Sequence, residues 1–147
     1  MSDAASGIGA RLRDVALVAF GGALGSLARF GVGEWLGVRD GWPIATLAVN
    51  VLGAALLGLL VEVVAARPRW RRAQLLAGTG VLGGFTTYSL LATQLAEMLR
   101  SGTILLALGY ASATVLGGLA ASLVGIALGR ALRGRRGEPG VVRGGGG

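Results

Sequence analysis

The sequence predicts an all-α membrane protein with four transmembrane helices, the third of them broken near its middle. Three observations support this fold class. The chain of 147 residues is 53% hydrophobic and only 14% charged, whereas a soluble domain carries about 25% charged residues. Four apolar segments each reach the roughly 20 residues that a helix needs to cross a bilayer. A run of glycine and polar residues interrupts the third segment.

A single membrane domain is predicted, with a short arm before it and a tail after it. The N-terminal arm, expected in the cytoplasm, covers residues 1–13, and the four-helix domain covers 14–133. The basic, glycine-rich tail over 134–147 reads GRRGEPGVVRGGGG. Because the tail lacks apolar periodicity, we expect it to be disordered.

The charges and the missing residue types exclude several classes of function. The sequence has no histidine and no cysteine, which removes the commonest general base and any thiolate metal site. No nucleophile–base pair is visible, so the sequence does not predict an enzyme. All 14 basic residues are arginine and the net charge is +7. Most of these arginines lie at the ends of apolar segments, which is typical of membrane topology, so no nucleic-acid partner is expected.

Arginine placement predicts how the chain is oriented in the membrane. The arm, the link between the second and third spans, and the C-terminal end together hold eleven arginines, and with four spans these regions share one side. The opposite side has two, Arg39 and Arg100. The positive-inside rule therefore predicts that both termini are cytoplasmic. The predicted spans are 15–38, 43–66, 73–98 and 103–132.

The first span combines small residues with one buried charge. Gly21 and Gly25 are four residues apart, a spacing that lets two helices approach closely in lipid. Arg29 lies deeper in the span, where it could extend toward the outer interface or pair with Glu34. Structural anchoring and a place at a pore mouth both remain open for this arginine.

Polar residues form short stripes on the second and fourth spans. Asn50 lies about two turns into the second span, and Thr46 shares its helix face. A lone amide can bond a neighbouring helix, but its N–H groups can also serve a desolvated anion. Tyr110, Thr114 and Gly118 recur every four residues and form one stripe on the fourth span. Such a stripe can also act only in helix association.

The third span contains GTGVLGGFTTYS, residues 78–89, which fits two opposed interpretations. Its first half matches the G-x-G-x-x-G spacing of dinucleotide-binding loops. That interpretation requires a preceding strand and an acidic residue about 20 positions later in a βαβ unit. The preceding RWRRAQLLAGTG is too short for that unit, and the acidic residue Glu97 lies in the same apolar segment. A break in a membrane helix is favoured instead, since unwound backbone survives there when it is buried or lines a cavity. We expect Gly83 and Gly84 to allow the bend, with the break extending from Gly83 to Thr87.

Together these residues resemble the small fluoride channels of the Fluc, or CrcB, family. The resemblance rests on GGALGSLAR in the first span, P-x-x-TLAVNxxG in the second and G-x-x-GGFTTYS in the third. It implies a four-helix subunit that forms an antiparallel, dual-topology dimer with two pores in the bacterial inner membrane. It also implies passive export of F⁻ from the cytoplasm and a structural Na⁺ at the dimer interface.

The resemblance further implies roles for individual residues. The carbonyls of Gly83 and Thr86 would hold the Na⁺, and Asn50 would be the pore amide. The two aromatic positions whose ring edges face fluoride fall on Tyr88 and Leu91. The other positions are Ser89, Tyr110 and Thr114 along the fluoride path, and Arg29, Thr46 and Gln94 at the pore mouth or in structural roles.

Departures from the family pattern suggest a missing partner. The motif reads TTYSLL rather than TTFSTF, so Leu91 has no ring edge, and Gln94 replaces the usual glutamate. The arginine bias also fixes one orientation, whereas an antiparallel homodimer must insert both ways. We therefore hypothesise that the chain is one half of a heterodimer with an oppositely oriented paralogue; a homodimer is the alternative.

Two other functions are alternatives to the channel. A small multidrug-type proton-coupled exporter also uses four short helices, but it needs a carboxylate near the middle of a span. Here the acidic residues Glu34, Glu62 and Glu97 lie near span ends. An inert assembly subunit would conduct no fluoride and would tolerate Asn50→Asp.

Overall fold

A computed structural model of the chain describes residues 2–64 and 68–134, and within them it contains four helices or helix pairs long and apolar enough to cross a membrane. This confirms the predicted all-helical, four-span architecture. A 3₁₀ turn at Pro68–Trp70 precedes the third span. The helices are α1 (Ser2–Leu36), α2 (Ile44–Val64), α3 (71–85), α4 (Tyr88–Arg100) and α5 (Ile104–Gly134).

The helix α1 begins well before the predicted first span. It is continuous over 35 residues, so at 1.5 Å per residue it is about 50 Å long, against a hydrocarbon core of about 30 Å. Residues 2–13, predicted as a separate arm, are therefore the first turns of this helix. The predicted tail lies outside the described residues from position 135 onward.

The third span consists of α3 and α4, and its first half is unusual. It starts with an α-helical turn at Arg71–Gln74 and widens into a π-helix over Leu75–Leu82. It then closes with an α-helical turn at Gly83–Phe85. Wide π turns inside membrane-length helices are uncommon and often accompany functional sites.

Glycines bring the helices together in two pairs, α1 with α3 and α2 with α5. A Cβ added at Gly25 would overlap Val81 O and lie 2.8 Å from Phe85 N. A Cβ added at Gly125 would overlap Ala55 O in the same way. The glycine spacing in the first span therefore marks a true close contact, as predicted.

Ion pairs join the helix ends at one end of the bundle. Arg71 Nη1 lies 2.8 Å from Asp14 Oδ2, which connects α3 to α1. Glu62 on α2 pairs with Arg130 at 3.2 Å and with Arg133 at 2.9 Å, both on α5. The arginines that make these ion pairs thus lie at one end of the bundle, and the side of the membrane that this end faces stays a prediction. Arg67, Arg135, Arg136 and Arg143 lie outside the described residues.

A hydrophobic cluster fills the opposite half of the bundle. Leu91 and Met98 of α4 pack there against Ala107 and Tyr110 of α5. The ring of Trp42, in the loop before α2, meets the Tyr110 ring edge-on with centroids 6.1 Å apart. The break in the third span lies between α2 and α1, within hydrogen-bond distance of Asn50 on one and Arg29 on the other.

Candidate functional site: a broken helix beside a polar relay

The break in the third span is confined to two residues. Thr86 (φ −76°, ψ 157°) and Thr87 (φ −150°, ψ 121°) are extended, while Gly83 is helical at φ −64° and ψ −37°. The expectation that the break begins at Gly83 is therefore wrong. Gly84 serves another purpose, because a Cβ there would overlap Gly22 O of α1. Its small size permits helix contact rather than a bend.

Asn50 holds the broken backbone in place from the neighbouring helix α2. Its Nδ2 donates to Thr87 O at 3.0 Å, and its Oδ1 accepts from Thr87 N at 2.9 Å. One side-chain amide thus accepts from the Thr87 N–H, which has no helical acceptor here, and also donates to the Thr87 carbonyl. Two interpretations of Asn50 were open, a bond to a neighbouring helix and a donor for an anion. In the structure Asn50 makes the bond to a neighbouring helix. One of its two N–H groups is used in this pair.

Two of the carbonyls at the break, those of Gly83 and Thr86, lose their helical donors as a result. In an unbroken α-helix, Gly83 O would accept from Thr87 N, and Thr86 O from Leu90 N. Here Thr87 N donates to Asn50, and Leu90 N donates to Thr87 Oγ1 at 3.2 Å. Thr87 is the N-cap of α4. The two carbonyls freed in this way are those that the resemblance assigns to Na⁺.

Polar groups of α1 approach two carbonyls in and just before the break. Arg29 Nη1 lies 3.5 Å from Thr86 O, and Ser26 Oγ lies 3.5 Å from Gly84 O. Arg29 therefore turns toward the break rather than toward Glu34. Arg29, Ser26, Thr87 and Ser89 line a surface cavity of about 450 Å³ next to the break. The guanidinium is thus placed at the edge of the site, in a cavity that Glu34 also lines, so the cavity has one charged group of each sign.

Gln94 connects three helices through a buried relay. Tyr110 OH donates to Gln94 Oε1 at 2.8 Å, and Gln94 Nε2 donates to Thr46 Oγ1 at 2.9 Å. Tyr110 is fully buried, and Thr46 and Thr114 are nearly so. Thr114 Oγ1 donates to Tyr110 O, its own helix backbone, at 2.8 Å. The structure therefore brings together four of the predicted polar positions, with Asn50 one turn below Thr46.

The two positions predicted to be aromatic do not lie together in one subunit. Tyr88 is 82% exposed on the subunit surface, whereas Leu91 is buried in the cluster with Tyr110. Ser89 is also exposed, and its Oγ lies 3.3 Å from Thr87 Oγ1. A single chain thus presents Tyr88 and Ser89 outward from the break and keeps Leu91 within its own core.

Removing the Tyr110 hydroxyl tests the relay. We expect Tyr110→Phe to lower the free energy of unfolding by about 1–3 kcal/mol, because Gln94 Oε1 would stay buried without its donor. Unfolding in detergent by a denaturant titration, followed by tryptophan fluorescence, measures this change. Tyr88→Phe is the matched control, since that exposed side chain should change stability by less than about 0.5 kcal/mol. Equal stability of the two variants would contradict the relay.

Sequence reasoning missed the role of Thr87 and the connection made by Gln94. A threonine just before a helical segment is a recognisable N-cap signal, so Thr87 could have been identified. The Gln94 contacts join positions 48 and 16 residues away, and helical spacing alone does not reveal them.

These features define a multi-pass α-helical membrane protein with a polar site built on a broken helix. Residues 16–126 match the model of a sequence family described as "CrcB-like protein, Camphor Resistance (CrcB)". The chain is 44% identical over 117 residues to a "Fluoride-specific ion channel FluC" of Bordetella petrii, covering 79% of this chain and 91% of that protein. It therefore belongs to the CrcB family.

Two further relatives carry the same name. The protein of Chloroflexus aurantiacus is 38% identical over 122 residues, covering 81% of this chain and 97% of its own length. The protein of Thermus thermophilus is 42% identical over 120 residues, with 80% and 94% covered. This family consists of channels rather than enzymes, and none of these three relatives is named as an exporter. The proton-coupled exporter alternative has no support.

Proposed function

We propose that the chain is a subunit of a fluoride-selective channel that lets F⁻ leave the cytoplasm passively and so lowers its toxicity. The buried relay of Thr46, Gln94 and Tyr110 carries this proposal, in a chain whose relatives are named fluoride channels. The relay places amide and hydroxyl donors inside an apolar bundle. An anion that leaves water needs such donors in return.

The donors available to an anion follow from the hydrogen bonds already made. Asn50 and Gln94 each use one amide N–H on a protein acceptor and retain a second. The hydroxyls of Ser89 and Thr87 lie at the surface cavity beside Arg29. We assign Arg29 to the pore mouth, where its charge draws anions, while neutral donors inside bind F⁻ weakly enough to release it.

A structural Na⁺ fits the oxygen atoms freed at the break. Hard cations prefer carbonyl and carboxylate oxygens, and Gly83 and Thr86 lack their usual helical donors. Two carbonyls from one chain are too few, so a second subunit facing Gly83 would complete the site. Gly83 is exposed on the subunit surface, which supports this arrangement. The nearby Arg29 would have to turn from Thr86 O when the ion binds.

The partner is a second channel subunit in the opposite orientation. Tyr88, Ser89 and Thr93 expose polar groups at membrane depth, which is costly unless another protein surface covers them. By the positive-inside rule, the arginine-rich end would hold this chain with both termini on the cytoplasmic side of the bacterial inner membrane. An oppositely biased paralogue would complete the dimer and supply, from its own chain, the pore aromatic that this chain lacks, since Leu91 has no ring and is buried in its own core.

Fluoride efflux from liposomes tests function and partner dependence together. With the chain alone, we expect no efflux above that of protein-free liposomes, as read by a fluoride electrode. Reconstitution with a family paralogue of opposite arginine bias should give rapid efflux, and chloride efflux should stay at background. Rapid efflux from the lone chain would support the channel proposal and would rule out the requirement for a heterodimer. Absence of efflux in every combination would contradict the channel.

A further inference from the structure

We propose that a groove at the arginine-rich end of α1 binds an anionic phospholipid. The groove has a volume of about 430 Å³ and lies between the start of α3 and one face of α1. Its members are Arg13, Ala16, Leu17 and Phe20 of α1 and Arg72 of α3. This inference is independent of fluoride conduction.

Two arginines, Arg13 and Arg72, line the end of the groove nearest the arginine-rich end of the bundle, and neither has an anionic partner there among the described residues. Among residues 7–64 and 69–134, whose side chains are described, neither Arg13 nor Arg72 has a salt bridge. The nearest acid in sequence, Asp14, is already paired with Arg71 at 2.8 Å. Two guanidinium groups therefore remain for an external anion. Arginine suits a phosphate in this position because its planar fork can donate two parallel hydrogen bonds.

The depth of these arginines matches a lipid headgroup. Arg13 lies two residues before the predicted first span, and Arg72 lies one residue before the predicted third span. Both are thus at the boundary between the apolar core and water. Basic pockets between helices on the cytoplasmic side are typical sites for anionic lipid headgroups.

The wall below the arginines is apolar and open. Ala16, Leu17 and Phe20 follow Arg13 at helical spacing, and Phe20 is 62% exposed. Phe20 lies about 10 Å deeper than Arg13 along the helix axis. An acyl chain can lie along this strip while the phosphate meets the arginines, whereas a free phosphate could use only the arginine end of the groove.

A second groove on α1 provides the contrast within the same helix. It is of similar size, about 380 Å³, and is lined by Asp14, Val15, Val18, Ala19 and Leu75. Its only charged member is an acid that is already paired. Charge complementarity therefore selects the Arg13 groove, and not every groove on α1, for an anionic lipid.

Native mass spectrometry of the full chain in mild detergent tests the proposal by titration with phosphatidylglycerol and with phosphatidylcholine of the same acyl chains. We expect tighter binding of phosphatidylglycerol. Arg13→Gln and Arg72→Gln should each weaken it about fivefold, and the double variant about 25-fold. The double variant Arg39→Gln/Arg100→Gln removes the same charge from the other end and should leave binding unchanged.

Two further variants test the apolar wall of the groove. Phe20→Ala should weaken binding of phosphatidylglycerol, and Val15→Ala, on the other groove of α1, should not.

Several outcomes would overturn the site. These are equal affinity for the two lipids, equal loss in the Arg39/Arg100 control, and full displacement by glycerol phosphate, which lacks acyl chains. The proposal would also be overturned if the chain bound no lipid because a second copy of the chain covers Arg13. Arg13→Lys with Arg72→Lys should keep most of the binding, which separates charge from misfolding.

Discussion

Replacement of Asn50 by aspartate is expected to abolish fluoride efflux. An ionised carboxylate only accepts hydrogen bonds, so it would set an oxygen against Thr87 O where the amide now donates at 3.0 Å. It would also place a negative charge next to the proposed anion path. The loss of a buried hydrogen bond together with this repulsion should reduce efflux by about 100-fold or more. The measurement is electrode-recorded efflux from liposomes that contain the functional channel with the variant chain.

Two further variants separate the effect of charge from the effect of structure. Asn50→Ala removes both hydrogen bonds to Thr87 without adding a charge, so any efflux it retains beyond Asn50→Asp measures the repulsion. Ser112→Ala removes an exposed hydroxyl from α5 and should conduct like the original chain. If a well-folded Asn50→Asp variant gave efflux within a few-fold of the original chain, the assignment of Asn50 to the pore would be wrong.

A methyl group at Gly25 is expected to disrupt the pairing of α1 with α3. The new Cβ would overlap Val81 O and would also lie 2.8 Å from Phe85 N. Both neighbours are backbone atoms, so neither can move by changing a rotamer. We expect Gly25→Ala to lower the free energy of unfolding by at least about 3 kcal/mol. Denaturant titration in detergent and size-exclusion chromatography would detect the loss.

Gly22→Ala is the matched control for this packing prediction. It lies on the same helix one turn earlier, and its added Cβ would come no closer than 4.0 Å to Gly80 O. That distance is an ordinary van der Waals contact, so stability should change by less than about 1 kcal/mol. If both variants were equally stable, the tight contact between α1 and α3 would be refuted.

The sequence predicted the spans well because each depends only on local composition. The second span was predicted at 43–66 and is observed as α2 at Ile44–Val64. Pro43 and the arginines after the helix marked its ends. The helical arm before the first span was missed, since its polar residues gave no membrane signal. Helix continues there because no proline interrupts residues 2–13.

The exact position of the break could not be read from the same local signals. Glycine is permissive, so Gly83 and Gly84 seemed the natural place for a bend. The bend falls at Thr86 and Thr87 instead, because Asn50, 37 residues earlier, supplies the partners that Thr87 needs. Long-range partners of this kind are tertiary information, and the relay through Gln94 depends on them equally. The resemblance to fluoride channels identified these residues, but their hydrogen bonds required the fold.

The divided third span has a consequence for how the chain is made. It is the least apolar of the four candidate spans, and α4 alone, with 13 residues, is too short to cross a bilayer. When a ribosome delivers this segment to the translocon, its exposed carbonyls and hydroxyls oppose entry into lipid. α2 has by then been synthesised, and its Asn50 can receive Thr87 as it arrives. Stable insertion of the divided span is therefore expected to depend on α2 being already in place, with Asn50 able to bond Thr87.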